Sequence, residues 1–381
     1  THSVLHADIT GDLTNVKYGK GYISDCEYIG NDMPDTDAID YDGVTGGVIR
    51  KITAHGFLGD NSDAIDLGEQ AMDVQVDSIL VYDVTDKGIS VGQRSTAHVT
   101  NSTFIHTNLG LGVKDSCSVE VEHCTFYAVQ NPISCYEKVF GRAGGNAVID
   151  ACVFANSSSQ DIVCDEKSFV RISGSLSDTE QLSAYGEGNM LRDPEFRAPN
   201  IFDLQSNYLE QNGLGSGYLP QRPQIQPVIT EICYAPIDSL GQSEYLALYN
   251  PSDMPLDLGG YTFSKGISFT FPEGTTLEPN GQIYVAQQES PMLPDAFIWN
   301  SGKLANEGER IQLDTPDGVI IDHIRYGAVS PWPEISEKGG NILVLTNPLK
   351  DNHLATNWSI MHTTNMAQIN VPKRISFDTM T

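Results

Sequence analysis

The sequence predicts an all-β protein in which a parallel β-helix is followed by an antiparallel β-sandwich. A unit of 22 to 29 residues recurs through the first half, and each copy holds short strands separated by turns. The second half has no repeat, and its short alternating strands are divided by turn signals such as NPSD and TPDG. Regular amphipathic helices are missing from the pattern, which excludes the doubly wound and barrel α/β folds.

Equivalent residues of successive units form a column, and four columns of apolar residues define the repeat. The first column opens each unit and the second follows five residues later. The third and fourth columns lie two residues apart in the second strand of the unit. In a parallel β-helix, equivalent residues stack between coils at about 4.8 Å, so each column predicts an inward ladder. The opening column is Ile23, Ile52, Val76, Val99, Val121 and Ile149, and its partners are Tyr28, Phe57, Val81, Phe104, Phe126 and Phe154. The second strand gives Ile39, Ile65, Ile89, Leu111, Ile133 and Ile162, followed by Tyr41, Leu67, Val91, Val113, Cys135 and Cys164.

At least six coils are predicted over residues 20–175, with irregular closing coils in 188–215. This part resembles right-handed parallel β-helix proteins of the pectin-lyase-like kind, and the resemblance assigns residues 1–217 to that fold. Leucine-rich repeats share the period, but the leucines and asparagine that they need at fixed offsets are absent.

A change of pattern near residue 218 predicts a domain boundary. Residues 218–227 (YLPQRPQIQP) contain three prolines and no apolar period, as expected for a linker. Seven strands then follow over 228–359, which is typical of an antiparallel sandwich. They are VITEICYAP, EYLALYN, ISFTFP, QIYVAQ, RIQLDT, VIIDHIRYG and NILVLTN. Residues 360–381 form a C-terminal tail.

The second half also carries a specific resemblance. The segments ITEICY, EYLALYNPSDMPLDLGGYTFS, FPEGTTLEPNGQIYVA, ANEGERIQLDTPDGVIIDHIRYG and NHLATNWS resemble a lamin-tail domain, which implies an immunoglobulin-like sandwich. Together with the β-helix, the chain resembles bacterial exoproteins associated with CotH-type kinases, although no kinase-like segment is present. Animal lamins use this module on chromatin. Residues 228–359 carry 17 acids and 6 bases, so that role does not transfer.

The charge balance narrows the function further. With 50 acidic and 22 basic residues the chain has a formal net charge of −28, which argues against binding nucleic acid through phosphates. No apolar run is long enough to span a membrane. We expect an extracellular or cell-surface protein that binds polysaccharide or other surface and matrix proteins and acts as a scaffold. We expect no catalysis; the alternative is a carbohydrate-active enzyme working along the β-helix face.

An acidic stretch gives the candidate metal site. Residues 25–86 hold fifteen acids and two bases. The repeat places Asp37, Asp63 and Lys87 in one column, and Asp40 and Asp66 in the next column outward, followed by Ser90. Stacked carboxylates repel unless solvent screens them or a cation bridges them. Calcium takes six to eight oxygen ligands, so Asp37, Asp40, Asp63 and Asp66 are predicted calcium ligands. A solvated acidic face is the alternative.

The same columns give the candidate catalytic residues Asp37, Asp63, Lys87 and Lys114. The segments DTDAID, DNSDAIDLG, DKGISVG and GVKD are similar in order to four polygalacturonase motifs. The resemblance puts Asp37 and Asp63 on two catalytic aspartates and Lys114 on the catalytic lysine. Ser62 replaces the third aspartate, Lys87 the histidine and Gly112 the arginine, which weakens the case for hydrolysis. A polysaccharide lyase needs a cationic base, for which Lys87, Arg94 and Lys114 on successive coils are candidates.

The seven cysteines match no zinc motif, and their odd number excludes complete internal pairing. Cys124 and Cys152 share a coil position, as do Cys135 and Cys164. Stacked inward thiols and disulfides between coils are both compatible with this spacing, and inward thiols are favoured because one pair continues an apolar column.

Overall fold

The computed structural model describes residues 2–199, 202–218, 226–237, 241–334 and 340–362. The chain separates into two compact units, Thr1–Arg197 with Asp203–Arg222, and Ala198–Phe202 with Pro223–Thr381. Most of the predicted linker (218–227) and most of the predicted tail (360–381) lie outside the described residues. Within the described part, no helix is long and apolar enough to cross a membrane.

The first unit is a β-solenoid of about eight turns. Its strands are all parallel, and all belong to one continuous hydrogen-bonded set. They are β1 (Ser3–His6), β2 (Thr14–Gly19), β3 (Tyr22–Ile29), β4 (Ile39–Val44), β5 (Val48–Phe57), β6 (Ile65–Gly68), β7 (Val74–Asp77), β8 (Leu80–Val91), β9 (Thr96–Thr100), β10 (Thr103–Lys114), β11 (Ser118–Glu122), β12 (Thr125–Tyr127), β13 (Asn131–Tyr136), β14 (Asn146–Asp150), β15 (Val153–Ala155), β16 (Ile162–Cys164), β17 (Phe169–Ser173), β18 (Leu176–Ser177) and β19 (Met190–Leu191).

Strand pairing sorts these strands into three parallel sheets. The first sheet contains β2, β4, β6, the ends of β8 and β10, β13 and β16. The second contains β1, parts of β3, β5, β8 and β10, then β12, β15, β18 and β19. The third contains the start of β3 and β5, then β7, β9, β11, β14 and β17. Each coil contributes one strand segment to each sheet, so side chains of equal position stack.

The predicted columns of the first sheet are confirmed in every coil. Ile39 pairs with Ile65, and the same column continues without a register change to Ile162. All six members are buried. The neighbouring column from Tyr41 to Cys164 keeps the same pairing. The repeat spacing alone was therefore sufficient to fix which residues face the core here.

The prediction for the second coil in the other two sheets was wrong by three residues. Ile49, rather than Ile52, pairs with Ile23 and Val76, and Ala54, rather than Phe57, pairs with Tyr28 and Val81. The ten-residue strand β5 carries several buried apolar side chains, including Ile49, Ile52 and Phe57. A spacing of five residues between two apolar side chains therefore fits two registers, Ile49 with Ala54 and Ile52 with Phe57. The structure has the first, so the small Ala54 lies in the ladder.

Two glycines allow the chain to turn from the second sheet to the first. The rings of Phe104, Phe126 and Phe154 stack beneath this corner, with centroids 5.0 and 5.1 Å apart. A Cβ on Gly110 would lie 2.5 Å from the Pro132 carbonyl oxygen and 2.7 Å from the Phe126 ring. A Cβ on Gly88 would lie 2.5 Å from the Phe104 ring. No larger residue fits over this aromatic ladder.

Replacing Gly110 by alanine is expected to destabilise the β-helix by about 2 kcal/mol, because the methyl group meets backbone that cannot move aside. Denaturant unfolding of the full chain measures the change. Gly217→Ala is the matched control, since a Cβ there meets nothing within 4 Å. Equal unfolding midpoints for the two variants would contradict the packing argument.

The end of the solenoid differs from the closing coils predicted for 188–215. A 3-10 helix at Glu180–Ala184 places Leu182 in the core, and only Met190–Leu191 adds a strand. The chain then forms helix α1 (Asn207–Asn212), whose Leu209 packs with Leu214 against Val153 and Leu176. The Gly215 N–H donates to the Ala151 carbonyl at 2.8 Å. The chain therefore returns along the outer surface of the second sheet, where the sequence pattern predicted further coils.

All seven cysteines are free thiols. Cys135 pairs with Cys164 in the first sheet, and the Cys124 N–H donates to the Cys152 sulfur at 3.4 Å. Cys124, Cys135 and Cys152 are fully buried, which confirms the interpretation of inward thiols. Burial raises the pKa of the Cys135 thiol, which keeps it protonated and unreactive.

The second unit is a sandwich of two main sheets. Its strands are β20 (Val228–Ala235), β21 (Tyr245–Tyr249), β22 (Leu256–Asp257), β23 (Thr262–Lys265), β24 (Ile267–Thr270), β25 (Thr276–Leu277), β26 (Gln282–Ala286), β27 (Phe297–Ile298), β28 (Ser301–Gly302), β29 (Arg310–Asp314), β30 (Ile320–Arg325), β31 (Asn341–Leu345) and β32 (Trp358–His362). The larger sheet has the order β27-β26-β21-β20-β31-β32, and the smaller β28-β24-β23-β29-β30. Pairing is antiparallel except between β26 and β27.

The core of the sandwich lies between these sheets, with Leu246 and Val285 from one packed against Phe263 and Ile311 from the other. All seven predicted strands are present. The sequence pattern missed the two-residue strands β22, β25, β27 and β28, as well as β23 in GGYTFS and β32, which begins in NWS and runs into the predicted tail. Only Phe263 of the four β23 residues is buried, so that strand has no alternation from which to detect it.

Candidate functional site

The predicted column of Asp37, Asp63 and Lys87 exists and is built by hydrogen bonds from side chain to backbone. The Asp63 N–H donates to Asp37 Oδ1 at 2.7 Å, and the Lys87 N–H donates to Asp63 Oδ1 at 2.9 Å. Asp37 and Asp63 stand two residues before β4 and β6 begin. Their carboxylates therefore add hydrogen bonds between coils to the backbone bonds that the Asp37 and Asp63 carbonyls already accept from the Leu13 and Ala38 N–H groups.

Lys87 completes this column with an ammonium group that is almost fully buried. Its Nζ lies 3.2 and 3.3 Å from the two oxygens of Asp63 and also bonds Asp86. Lys87 and Asp63 are 6% and 5% exposed. The lysine stem crosses the outer face of Gly112, where a Cβ would lie 2.8 Å from Lys87 Cδ. Gly112 thus provides the space through which Lys87 reaches Asp63.

The second predicted column also holds, since Asp40 pairs with Asp66 and Asp66 with Ser90. Asp40 Oδ2 accepts the Asn15 Nδ2–H at 2.5 Å. Ser90 Oγ accepts a hydrogen bond from Lys114 Nζ at 2.7 Å. The two columns together form a polar strip on the outer face of the first sheet, which we call the polar face (Asp37, Asp40, Asp63, Asp66, Lys87, Ser90 and Lys114).

Burial dominates the electrostatics of the polar face. It raises the pKa of Asp37 to about 8, of Asp40 to about 7 and of Asp63 to about 6, with neighbouring carboxylates adding to the shift. Burial alone would lower the pKa of Lys87, but attraction to Asp63 and Asp86 outweighs it and raises that pKa. Burial lowers the pKa of Lys114. The face therefore contains one neutralised lysine, Lys87, and carboxyl groups that titrate near neutral pH.

Lys114 differs from Lys87 in having no acidic partner. It is 8% exposed, and no carboxylate of the described residues lies within 4.0 Å of its Nζ in an ion pair. Its stem leans across Gly92, where a Cβ would lie 2.9 Å from Lys114 Cε. A buried ammonium group whose hydrogen-bond partner is a neutral hydroxyl has an unfavourable free energy. An anionic ligand bound beside Lys114 would form an ion pair with it.

The four predicted calcium ligands lie on adjacent coils as expected, but they do not converge. Among Asp37, Asp40, Asp63 and Asp66, no three oxygens lie within 4.8 Å of one another. Both Asp63 oxygens face Lys87, so Asp37, Asp40 and Asp66 are the ones left to bind an ion. Burial and then neighbouring carboxylates raise the pKa values of Asp37 and Asp40, so a cation that binds here has to displace their protons. Calcium at these residues stays a prediction.

Two positions that depart from the polygalacturonase pattern have structural roles. Ser62 is fully buried, and its hydroxyl accepts the Thr36 N–H at 3.1 Å. Gly112 accommodates the Lys87 stem. The positions of the third aspartate and of the arginine therefore support coil packing and the ion pair. Arg94, the third lyase candidate, is exposed in the turn after β8.

Sequence reasoning missed the residues that continue the polar face beyond Lys114. Tyr136 pairs with Lys114 in the first sheet, and the loop 137–145 follows directly. Phe140 at the tip of this loop is 94% exposed. The signal was present in the repeat, because the interval from Val121 to Ile149 is 28 residues where the two before it are 23 and 22. The extra residues form the loop.

Comparison with known protein families gives two matches. Residues 11–175 match the family described as "Right handed beta helix region", and residues 220–328 match the family described as "Lamin Tail Domain". The protein joins a right-handed β-helix to a lamin tail domain. The polar face lies wholly in the β-helix, and both matches agree with the sheets described above. A search of curated proteins found no match to the chain.

Proposed function

We propose that this β-helix–lamin tail protein is an extracellular scaffold that binds acidic polysaccharide along its polar face without cleaving it. The observation that carries the proposal is Lys114, a nearly buried ammonium without an acidic partner. A uronate carboxylate presented by an extended polymer would supply the missing anion. The flat, regular surface of stacked strands suits a chain molecule, since equivalent positions recur at the strand spacing of about 4.8 Å.

The absence of turnover follows from how the other groups are engaged. Lys87 is held by Asp63 and Asp86, and its raised pKa makes it a poor proton acceptor. Asp63 is bonded through both oxygens. An inverting hydrolase needs one carboxyl group as acid and another free to activate water. The extracellular location and any association with CotH-type partners remain part of the proposal.

Replacing Lys114 by methionine is expected to weaken binding of oligogalacturonate at least tenfold in calorimetry, because the ion pair accounts for the affinity. The thermal midpoint should stay the same or rise, since an unpartnered buried charge is removed. Lys51→Met, an exposed lysine on the third-sheet side, is the control. Wild-type protein that binds neither oligogalacturonate nor any other uronate polymer would overturn the proposal.

One observation favours a polysaccharide lyase as the second candidate. Burial lowers the pKa of Lys114, which makes its amine a better proton acceptor, as the base of an elimination requires. Incubation with polygalacturonate and calcium, followed by ultraviolet absorbance, detects the unsaturated product of elimination. A scaffold gives no product while retaining binding. Product that disappears in Lys114→Met would establish the lyase instead.

A further inference from the structure

The loop that follows Tyr136 holds an exposed aromatic ring in a fixed position. Asp115, 3% exposed, accepts the N–H groups of Lys138 and Val139 through one oxygen, at 2.9 and 2.8 Å. Glu137 Oε1 accepts the N–H groups of Gly141 and Ala143 at 2.9 and 3.1 Å. The backbone on both sides of the loop tip is thus hydrogen-bonded to carboxylates. The loop therefore loses little conformational entropy when a ligand binds to it.

The tip itself packs against nothing apolar. Phe140 is 94% exposed, the highest value among the exposed large apolar side chains of the described residues. Lys167 Nζ lies 5.2 Å from the centre of its ring, and its charge is shared with Glu137. Lys138 and Arg142 flank the ring and are exposed. Phe140 thus has one cation over its ring and two exposed cations two residues away on either side in the sequence.

The loop is continuous with the polar face. It begins where β13 ends, and Tyr136 at that end pairs with Lys114 on the preceding coil. Lys138 is close enough to Lys114 to contribute to lowering its pKa. A polymer bound at Lys114 and running across the coils toward β16 therefore passes Tyr136 and reaches the loop.

We propose that the loop 137–145 is a second subsite for the acidic polysaccharide, in which Phe140 stacks on the apolar face of a sugar ring. Lys138 and Arg142 bind the carboxylates of the same or neighbouring residues. This inference rests on the proposed function and names a contact of its own, at a distance from Lys114. Aromatic side chains present an apolar face at low entropic cost, and cations around the ring select acidic over neutral sugars.

An anionic membrane also offers apolar and negatively charged groups, but the charge of the protein argues against it. A bilayer presents a charged plane to the whole molecule, whose net charge is −28. A polysaccharide chain running from Lys114 toward β16 leaves the aspartates of the polar face behind and meets Lys114, Lys138 and Arg142. The polymer is therefore repelled less than the membrane.

The test compares Phe140→Ala with Tyr22→Ala in the full chain. Tyr22 is exposed as well but lies at the start of β3 in the third sheet, several coils from the loop. With oligogalacturonate long enough to span several coils, Phe140→Ala should bind about tenfold more weakly and Tyr22→Ala like wild type. Phe140→Trp should retain affinity. A Lys138→Ser, Arg142→Ser double variant should retain only the part of the preference for oligogalacturonate over the fully methyl-esterified polymer that Lys114 provides.

The outcomes separate this inference from the proposed function. Wild-type binding that is unchanged in Phe140→Ala would overturn the subsite and leave the proposed function intact. No binding of any uronate polymer by wild type would overturn both. Sedimentation with anionic phospholipid vesicles that depends on Phe140, in a protein that ignores the polymer, would show that the loop contacts a membrane and would also overturn the subsite.

Discussion

Lys87→Met is expected to destabilise the β-helix by about 3 kcal/mol at about pH 8, because it leaves Asp63 buried without its partner. In wild type the ammonium of Lys87 lies 3.2 and 3.3 Å from the Asp63 oxygens, and both side chains are almost fully buried. Without the lysine, Asp63 must take up a proton to stay folded. The pKa of Asp63 in wild type is already raised to about 6, so protonating it at about pH 8 costs about 3 kcal/mol.

The pH dependence of the variant distinguishes this cause from a simple packing defect. The folded-state pKa of Asp63 in Lys87→Met lies above its wild-type value of about 6, so the deficit is largest at high pH and disappears below about pH 6. Chemical unfolding at several pH values measures it. A packing defect would persist at low pH.

Two further variants serve as controls. Lys17→Met removes a lysine that also bonds an aspartate on the next coil, Asp42, but in solvent, and little change in stability is expected. The double variant Asp63→Asn, Lys87→Met should recover most of the lost stability, because no charge remains buried. A Lys87→Met protein that unfolds like wild type at about pH 8 would show that the pair contributes nothing.

The sequence predicted the columns of the polar face because a β-helix converts sequence period into position. Ile39, Ile65 and Ile89 occupy equivalent positions on successive coils. The residues two positions before them, Asp37, Asp63 and Lys87, therefore fall in one column whatever conformations their side chains adopt. The local failure at Ile52 and Phe57 has the same origin. Where a strand contains several apolar residues, the period no longer selects one register.

The conformations of the side chains could not be predicted in this way. Four carboxylates in two columns indicated a cation site, but Lys87 reaches back over Gly112 to occupy both oxygens of Asp63. Nothing in the spacing shows that Gly112 and Gly92 provide space for two lysine stems. The loop with Phe140 was likewise visible only as a longer interval, because the hydrogen bonds that fix it come from Asp115 on the preceding coil.

Asp37→Asn is expected to stabilise the protein by about 5 kcal/mol at about pH 8 and to have little effect at about pH 4. Burial raises the folded-state pKa of Asp37 to about 8, well above the value in an unfolded chain. The folded protein therefore holds this proton more tightly, and the stability it gives is lost as pH rises through 4 to 8. Asparagine cannot ionise, yet its Oδ1 can still accept the Asp63 N–H. The variant thus keeps the hydrogen bond between the two coils and avoids the free-energy cost of ionising a buried carboxyl group.

Calcium binding favours the ionised form of Asp37, whereas burial favours the protonated form. If the ion binds Asp37, Asp40 and Asp66, it binds their ionised forms and raises the stability of wild type at about pH 8, by about 2.7 kcal/mol at a hundredfold excess over the dissociation constant. It should do nothing at about pH 4, where protons occupy the carboxylates, and much less in Asp37→Asn. Thermal melts with calcium, with magnesium and with chelator at constant ionic strength make this comparison. A wild-type midpoint that is unchanged by calcium or chelator at high pH would leave Asp37 and Asp40 as a solvated acidic face, stabilised only by protons.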